Sequence, residues 1–363
     1  GRLGRRALLR GSLVLAFALS GPRAAGQSAR PPKLPGSLER NRQLDAWLRI
    51  GADGRVTLQT GKVELGQGIL TALAQICADE LDVDLSRISV VSGDTRRCPN
   101  EGVTAGSMSV PQGGLAVRHA AAEVRALLVE MASKRLGVPA ARLGVRDGTV
   151  ADPAGGTGVT YWALVGGREL KREATGAVAP KPPSARRIAG RSVPRRDLPG
   201  KLAGEPSFVH DLRPEGLAHG RVVRPPAHGA ALAYADTEAV ARLPGVLKVV
   251  RDGSFLGVIA TKEWLAIKAA AALAASARWS ESPALPADPY DWLLKAKTQD
   301  TTIENAPRPP GPAPARALEA VYRKPYVMHA SVGPSCAVAS WDGQTLTVDT
   351  QSQSVFETCE AIA

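Results

Sequence analysis

The chain has 363 residues, of which 44% are hydrophobic and 4% aromatic, enough for two or three domains with cores of their own. Its formal charge of +12 would suit a nucleic-acid binder, but residues 1–42 carry +8, residues 168–201 carry +7, and the rest sums to −3. The positive charge thus sits in a leader and a connector without interleaved aromatics, which argues against nucleic acid, and the four cysteines are too far apart for a zinc or iron–sulfur pattern.

Gly4-Arg5-Arg6-Ala7-Leu8-Leu9-Arg10 precedes a short apolar run, Gly11 to Leu19, and small residues follow to Gln27. Residues 1–27 therefore read as a twin-arginine export signal, which predicts a periplasmic location. No stretch is long and apolar enough for a transmembrane span. Residues 28–43, rich in Pro, Arg and Ser, read as a flexible linker. Two alternating runs, Leu44 to Ile50 and Arg55 to Gln59, flank Asp53-Gly54 and predict a hairpin. Val63-Glu64-Leu65-Gly66-Gln67-Gly68 comes next, and then a helix with Leu70, Leu73, Ala74, Cys77 and Leu81 on one stripe. Cys77 reads as a small core residue, and a Cys77–Cys98 disulfide is left open.

A strand at Arg87 to Val91 leads into a polar loop, Ser92 to Ser109, that ends in Thr104-Ala105-Gly106-Ser107-Met108-Ser109. A long helix to Leu136 follows, with Ala116, Val117, Ala120, Val124, Leu127, Leu128 and Met131 inward, and then a strand pair within Arg142 to Val150. Residues 165–201 are basic and Pro-rich and read as a connector. A second domain, 202–280, has strands at His219–Val223, Val246–Arg251 and Phe255–Ala260 and helices at Thr237–Leu243 and Lys262–Ala275. Residues 281–317 read as another linker. Residues 318–363 start a third unit, with strands near Val321, Ala337 and Leu346 and a helix from Ser354 that stops at Ala363, so the chain reads as a fragment. The fold class expected is α+β.

Two loops, each between a strand and a helix, stand out. A Gly- or Ser-rich turn that opens a helix offers unpaired N–H groups at the positive end of the helix dipole, where anions such as phosphate are favoured. Two such loops close in sequence suggest one large phosphate-bearing cofactor held from two sides. A bland reading stands beside this: Gln67 as a surface residue, and Ser107 and Ser109 as caps of the following helix. His210, His219, His228 and His329 are scattered and read as structural, and nothing in the sequence brings Glu64 and Asp94 together as a carboxylate pair.

The order and spacing of several motifs resemble the large subunit of the xanthine oxidase/aldehyde oxidase family of molybdenum hydroxylases, nearest the isoquinoline 1-oxidoreductase branch. The segments are Val63 to Gly68, Gly93-Asp94-Thr95, Thr104 to Ser109, Gly204 to Asp211, Arg224-Pro225-Pro226, Leu243-Pro244-Gly245-Val246, Trp264, Tyr326 to Ala339, and Thr350-Gln351-Ser352-Gln353. The resemblance implies molybdopterin-binding α/β units, the first over 44–164 and the second beginning at 318, flanking an a/b hammerhead-like domain over 202–280. The Gly-Gln-Gly segment preceding the hammerhead favours this branch.

By the same resemblance, Gly66, Gln67 and Gly68 lie against the pterin, Gly106 turns its N–H toward the cofactor, Ser107 and Ser109 bind the pterin or its phosphate, and Gln353 hydrogen-bonds a molybdenum ligand. The implied cofactor is molybdenum–molybdopterin, with the cytosine dinucleotide form as one option. A catalytic Glu and a Gly-rich Phe loop are expected beyond Ala363, so no catalytic residue is expected within this chain and the fragment is expected to be inactive alone. Gly333 departs from the Glu that many relatives place before Pro334. The implied partners are a small [2Fe–2S] subunit, a cytochrome c as a further electron carrier, and an aldehyde or N-heterocycle as substrate. The alternative is a non-catalytic cofactor-binding or maturation paralogue.

Overall fold

The structure, a computed structural model, describes residues 33–281, 286–303, 306, 311, 315–327 and 333–363. The export-signal reading of residues 1–27 and the reading of His329 lie outside the described residues. The chain divides into two compact units, residues 1–205 with 351–363, and residues 206–350.

In the first unit, β1 (Leu48–Ile50) pairs antiparallel with β2 (Val56–Thr60), Leu48 opposite Leu58. From β2 the chain passes through α1 (Ile69–Leu81) to β3 (Ile88–Ser92), which lies parallel to β2 with Val56 opposite Ile88. A parallel pair needs such a crossover, and the helix supplies it. The stripe expected on α1 is real: Leu73, Ala74, Cys77 and Leu81 are buried, as are Ile69 and Ile76. A π-helical turn, Ser109–Gly114, runs into α2 (Leu115–Leu136), which packs its alanine-rich face on α1. A small sheet follows, β4 (Gly144–Arg146), β5 (Thr149–Ala151) and β6 (Val159–Thr160), then α3 (Tyr161–Val165). The buried Tyr161 donates its hydroxyl to the Leu81 carbonyl at 3.0 Å and so ties this sheet to the end of α1.

The described residues of both stretches expected to be linkers in this unit, 33–43 and 165–201, are held against the rest of it. Leu34 and Leu38 are buried in the main core, and residues 36–39 form a 3₁₀ turn. Residues 172–174 run beside 42–44, where Leu44 N–H donates to Arg172 O and Ala174 N–H to Arg42 O, both at 2.8 Å. Beyond them the chain runs back along α1 from its C-terminal half to its N-terminus. Asp79 accepts the N–H groups of Arg187 and Ile188, Gln75 donates to the carbonyls of Ile188 and Arg191, and Thr71 accepts Arg196 N–H. Polar side chains on α1 satisfy the backbone of this strap, so Arg- and Pro-rich composition does not leave it loose. A short helix, α4 (Leu198–Leu202), ends it.

The second unit holds a three-stranded antiparallel sheet in the order β7 (His219–Val223), β10 (Phe255–Ala260), β9 (Val246–Asp252), with Leu256 opposite both Val223 and Arg251. β8 (Leu232–Tyr234) pairs with β11 (Arg278–Trp279). α5 (Thr237–Ala241) starts at Asp236, whose carboxylate accepts Ala239 N–H, and α6 (Glu263–Ser276) buries Ala266, Ala269 and Leu273. α7 (Pro289–Lys295) stands within the stretch expected to be a linker. β12 (Ala337–Trp341) and β13 (Leu346–Thr350) form a hairpin. Val321, expected in a strand, is instead exposed and outside any element, because it finds no pairing neighbour among the described residues. The chain then re-enters the first unit with α8 (Val355–Ile362). The architecture is α+β throughout.

All four cysteines are free; Cys77 and Cys98 are buried, and burial raises both thiols above their ordinary pKa.

Candidate functional site

The site is built where β2 and β3 end. A buried lysine sets its floor. Lys62 follows β2 and sends Nζ to the carbonyls of Glu101 (2.8 Å) and Val103 (3.0 Å), drawing the approach to the Thr104–Ser109 turn against the end of β2. Burial pushes its ammonium below the ordinary lysine pKa. Glu101, also buried, accepts Ser37 Oγ at 2.8 Å, Thr60 Oγ1 at 2.5 Å and Gly61 N–H at 2.8 Å. Gly113 passes so close that an added Cβ would lie 2.7 Å from Glu101 Oε1, so a larger residue there would have to displace the Glu101 carboxylate from its bonds.

Thr104 then joins three distant segments. Its Oγ1 accepts Val63 N–H at 3.1 Å, its N–H donates to Gln353 O at 2.8 Å, and its carbonyl accepts Gln353 Nε2 at 2.8 Å. The Val63–Gly68 loop, the Thr104–Ser109 turn and Gln353 therefore meet around one buried threonine. Of the residues expected to bind a cofactor, Gly66, Gln67, Gly106 and Ser107 are exposed on the rim, while Gly68, Ser109 and Gln353 are half-buried.

The two turns are chemically unlike. At the start of α1 three of the N–H groups expected to be free are already taken. Glu64 Oε1 accepts Gly66 N–H (2.9 Å) and Gly68 N–H (2.8 Å), and Oε2 accepts Leu70 N–H (3.3 Å). The chain places its own carboxylate where a phosphate was expected, as the helix dipole favours. Gln67 is likewise engaged in its own loop: Oε1 accepts Leu65 N–H at 2.5 Å and Nε2 donates to Val63 O at 3.0 Å. Gly66, at φ +99°, takes a conformation that suits glycine, and a Cβ added there would meet no atom within 4 Å.

The second turn is open. Gly106 and Ser107 stand in succession at φ +61° and +58°, and their N–H groups and both the Ser107 and Ser109 hydroxyls find no partner among the described residues. Neither serine caps the helix, since no side-chain cap is made at the Ser109–Gly114 turn. Adjacent residues at positive φ with free N–H groups form a donor-lined rim of the kind that an anion accepts from. Gln353 Oε1 adds an acceptor without a partner among the described residues.

Sequence reasoning missed Lys62, Glu101, Thr104 as a junction, and Arg195, whose guanidinium donates to Gly66 O at 2.6 Å. A legible signal existed only for Glu64, an acidic residue just ahead of a helix start. Asp94 serves its own turn, accepting Arg96 N–H at 2.9 Å, and is not paired with Glu64.

Residues 26–187 match the family described as a molybdopterin cofactor-binding domain. Over 322 residues the chain is 37% identical to one of the subunits of nicotinate dehydrogenase from Pseudomonas putida, a match that covers 85% of this chain and 27% of that protein. It is 29% identical over 314 residues to the beta subunit of isoquinoline 1-oxidoreductase from Brevundimonas diminuta, covering 75% of this chain and 39% of that one. It is also 30% identical over 208 residues to a membrane-bound aldehyde dehydrogenase of Gluconacetobacter polyoxogenes whose name carries pyrroloquinoline quinone, covering 56% of this chain and 27% of that one. The chain thus spans between about a quarter and two-fifths of the length of these relatives. The matched segment encloses both loops, so residues 26–187 form a molybdopterin cofactor-binding domain, and the sequence likeness to these dehydrogenase and oxidoreductase subunits runs on through the second unit.

Proposed function

We propose that this chain is the cofactor-binding portion of a molybdenum hydroxylase or dehydrogenase that oxidises a carbon of an N-heterocycle or aldehyde with oxygen taken from water. The observation that carries the reading is the junction at Thr104, which gathers the Val63–Gly68 loop, the Thr104–Ser109 turn and Gln353 beneath a rim of free donors. Bound there, molybdenum–molybdopterin supplies the two-electron redox chemistry. The chain's part is to hold the group. Gly106 and Ser107 offer N–H donors, Ser107 and Ser109 offer hydroxyls, and Gln353 offers a carboxamide oxygen. Gly66, Gln67 and Gly68 form the facing wall. The cytosine dinucleotide form of the cofactor, with its extra phosphate, suits the donor-lined side.

The N-heterocycle class draws on the names of the nicotinate and isoquinoline relatives, and the aldehyde class on the third. Electrons leave, in this proposal, through a small [2Fe–2S] subunit and then a cytochrome c, after export to the periplasm by the Arg5-Arg6 signal. Among the described residues no helix is long and apolar enough to cross a membrane.

The experiment is elemental and pterin analysis of the full-length protein purified with its partners. About one molybdenum and one pterin per chain supports the reading. Well-folded protein with neither, or with pyrroloquinoline quinone in their place, overturns it. Full cofactor without turnover of any N-heterocycle or aldehyde selects the non-catalytic paralogue.

A further inference from the structure

The strap along α1 ends in a latch on the Gly66–Gly68 loop. Arg195 grips Asp197 with two donors, Nε at 3.0 Å and Nη2 at 2.6 Å, which orients its guanidinium plane. Lys201 adds a bond to the same carboxylate at 2.8 Å. Thus held, Arg195 Nη1 donates to Gly66 O at 2.6 Å, and Nη2 lies 3.6 Å from Glu64 Oε1, the oxygen that accepts the Gly66 and Gly68 N–H groups. The aliphatic stem of Arg195 covers Gly68, where an added Cβ would meet its Cδ at 3.7 Å. One side chain therefore touches the carbonyl of the loop, the carboxylate that organises the loop's N–H groups, and the residue that opens α1.

Apart from Arg195, the hydrogen bonds that hold Leu65, Gly66 and Gln67 come from the loop's own Glu64 and Gln67 side chains. Leu65, Gly66 and Gln67 are exposed, and Gly66 has a wide conformational range. Left alone, such a segment samples many states, and a ligand that needs one of them loses affinity in proportion. An arginine is suited to this task because its planar fork fixes the direction of its donors, so that a two-point grip on one carboxylate aims a third N–H at the carbonyl.

We propose that Arg195 is a positioning residue for cofactor binding, and that the strap ending in Arg195 and Asp197 holds the Gly66–Gly68 loop in its cofactor-facing conformation before the cofactor arrives. This rests on the reading of that loop as a cofactor wall. Ordering of the strap and loading of the cofactor are then coupled, although the strap itself reaches the cofactor only through the loop.

The test compares Arg195→Met and Arg195→Lys with the parent in the full-length protein, by amide hydrogen exchange and by molybdenum and pterin content. Met keeps the stem over Gly68 and removes the donors. It is expected to speed exchange at Gly66, Gly68 and Leu70 by about tenfold, the scale set by losing one charge-assisted hydrogen bond. Exchange in β2 and over Leu73–Leu81 is expected to stay as in the parent. Cofactor content at limiting molybdate is expected to fall, and Arg195→Lys to recover part of both effects. A merely structural arginine would not give partial rescue of cofactor content together with an unchanged α1 core. Asp197→Asn, which leaves Arg195 in place, provides a second reading, with a smaller rise in exchange confined to the same three groups. Unchanged loop exchange in Arg195→Met and Asp197→Asn overturns the latch. Faster loop exchange with full cofactor content overturns the positioning role. A parent protein that holds no molybdenum or pterin overturns the functional reading instead, and the exchange comparison still decides whether the latch exists.

Discussion

Thr104 and Gln353, 249 positions apart, exchange two hydrogen bonds of 2.8 Å, Thr104 N–H to Gln353 O and Gln353 Nε2 to Thr104 O. The second depends on the glutamine side chain, and it aligns the start of the Ser-rich turn with the segment that precedes α8. Gln353→Ala removes that bond and leaves the backbone bond. We expect a loss of about 0.5–1.5 kcal/mol, rising toward 3 kcal/mol if the Thr104 carbonyl is left dry. Urea unfolding measures the loss. Cofactor content should also drop, because the turn bearing Gly106 and Ser107 is no longer anchored. A variant with parental stability and full cofactor would remove Gln353 from the site.

Lys62 gives a second expectation. Its Nζ is the donor for two carbonyls, Glu101 O and Val103 O, and the residue is fully buried. Lys62→Met preserves most of the volume and strands both acceptors, at about 1–3 kcal/mol for each one left unpaired. The lowered denaturant midpoint should come with faster amide exchange over 103–109, since this contact brings the turn to β2. An unchanged midpoint would mean that water replaces the ammonium without cost.

The latch predicts a pH dependence with a definite sign. Bonds from Arg195 first, and from Lys201 second, hold the Asp197 carboxyl well below the usual carboxylate range. A carboxyl with a depressed folded-state pKa binds fewer protons when folded. Its stabilising contribution is therefore present above the unfolded-state pKa, about 3.9, and is lost progressively as pH falls below that value. The stability difference between parent and Asp197→Asn should be constant from neutral pH down to about 5 and shrink below about 4. A difference that stays constant to pH 2.5, roughly 1.4 units below the unfolded-state pKa, would show that the Asp197 charge contributes nothing.

The sequence revealed those parts of the fold whose burial follows a period. The α1 stripe, the long α2 and the strands β7, β9 and β10 announce themselves because apolar residues recur at helical or strand spacing. Leu34 and Leu38 were hidden because two apolar residues among Pro and Arg have no period. The strap was hidden for a different reason: its hold on α1 comes from Thr71, Gln75 and Asp79, polar residues that read as a solvated face until the backbone they satisfy is seen. At the site, the expected residues were placed in neighbouring segments by motif order, yet the division of labour was not legible. That Glu64 fills the α1 terminus while Gly106 and Ser107 stay open depends on hydrogen bonds that spacing does not specify.

Proteolysis separates the strap from a true linker. Residues 165–201 contain many basic residues, and a flexible connector of this composition would be cut first by trypsin. Here the backbone around Arg187, Arg191 and Arg196 is bonded to α1, and a protease needs several residues of free extended chain to act. By contrast, Lys295 and Lys297 are followed by exposed residues, 298–303, that lie outside any helix or strand. Trypsin at low ratio should therefore cut after Lys295 or Lys297 well before it cuts within 186–196, and the fragment carrying α1 should keep the strap. Arg195→Met should raise early cleavage after Arg191 and Arg196, because that end loses one of its anchors, the bond to Gly66, while those of Asp79, Gln75 and Thr71 persist. First cleavage within 186–196 in the parent protein would return this segment to the status of a linker and remove the basis for a latch at Arg195.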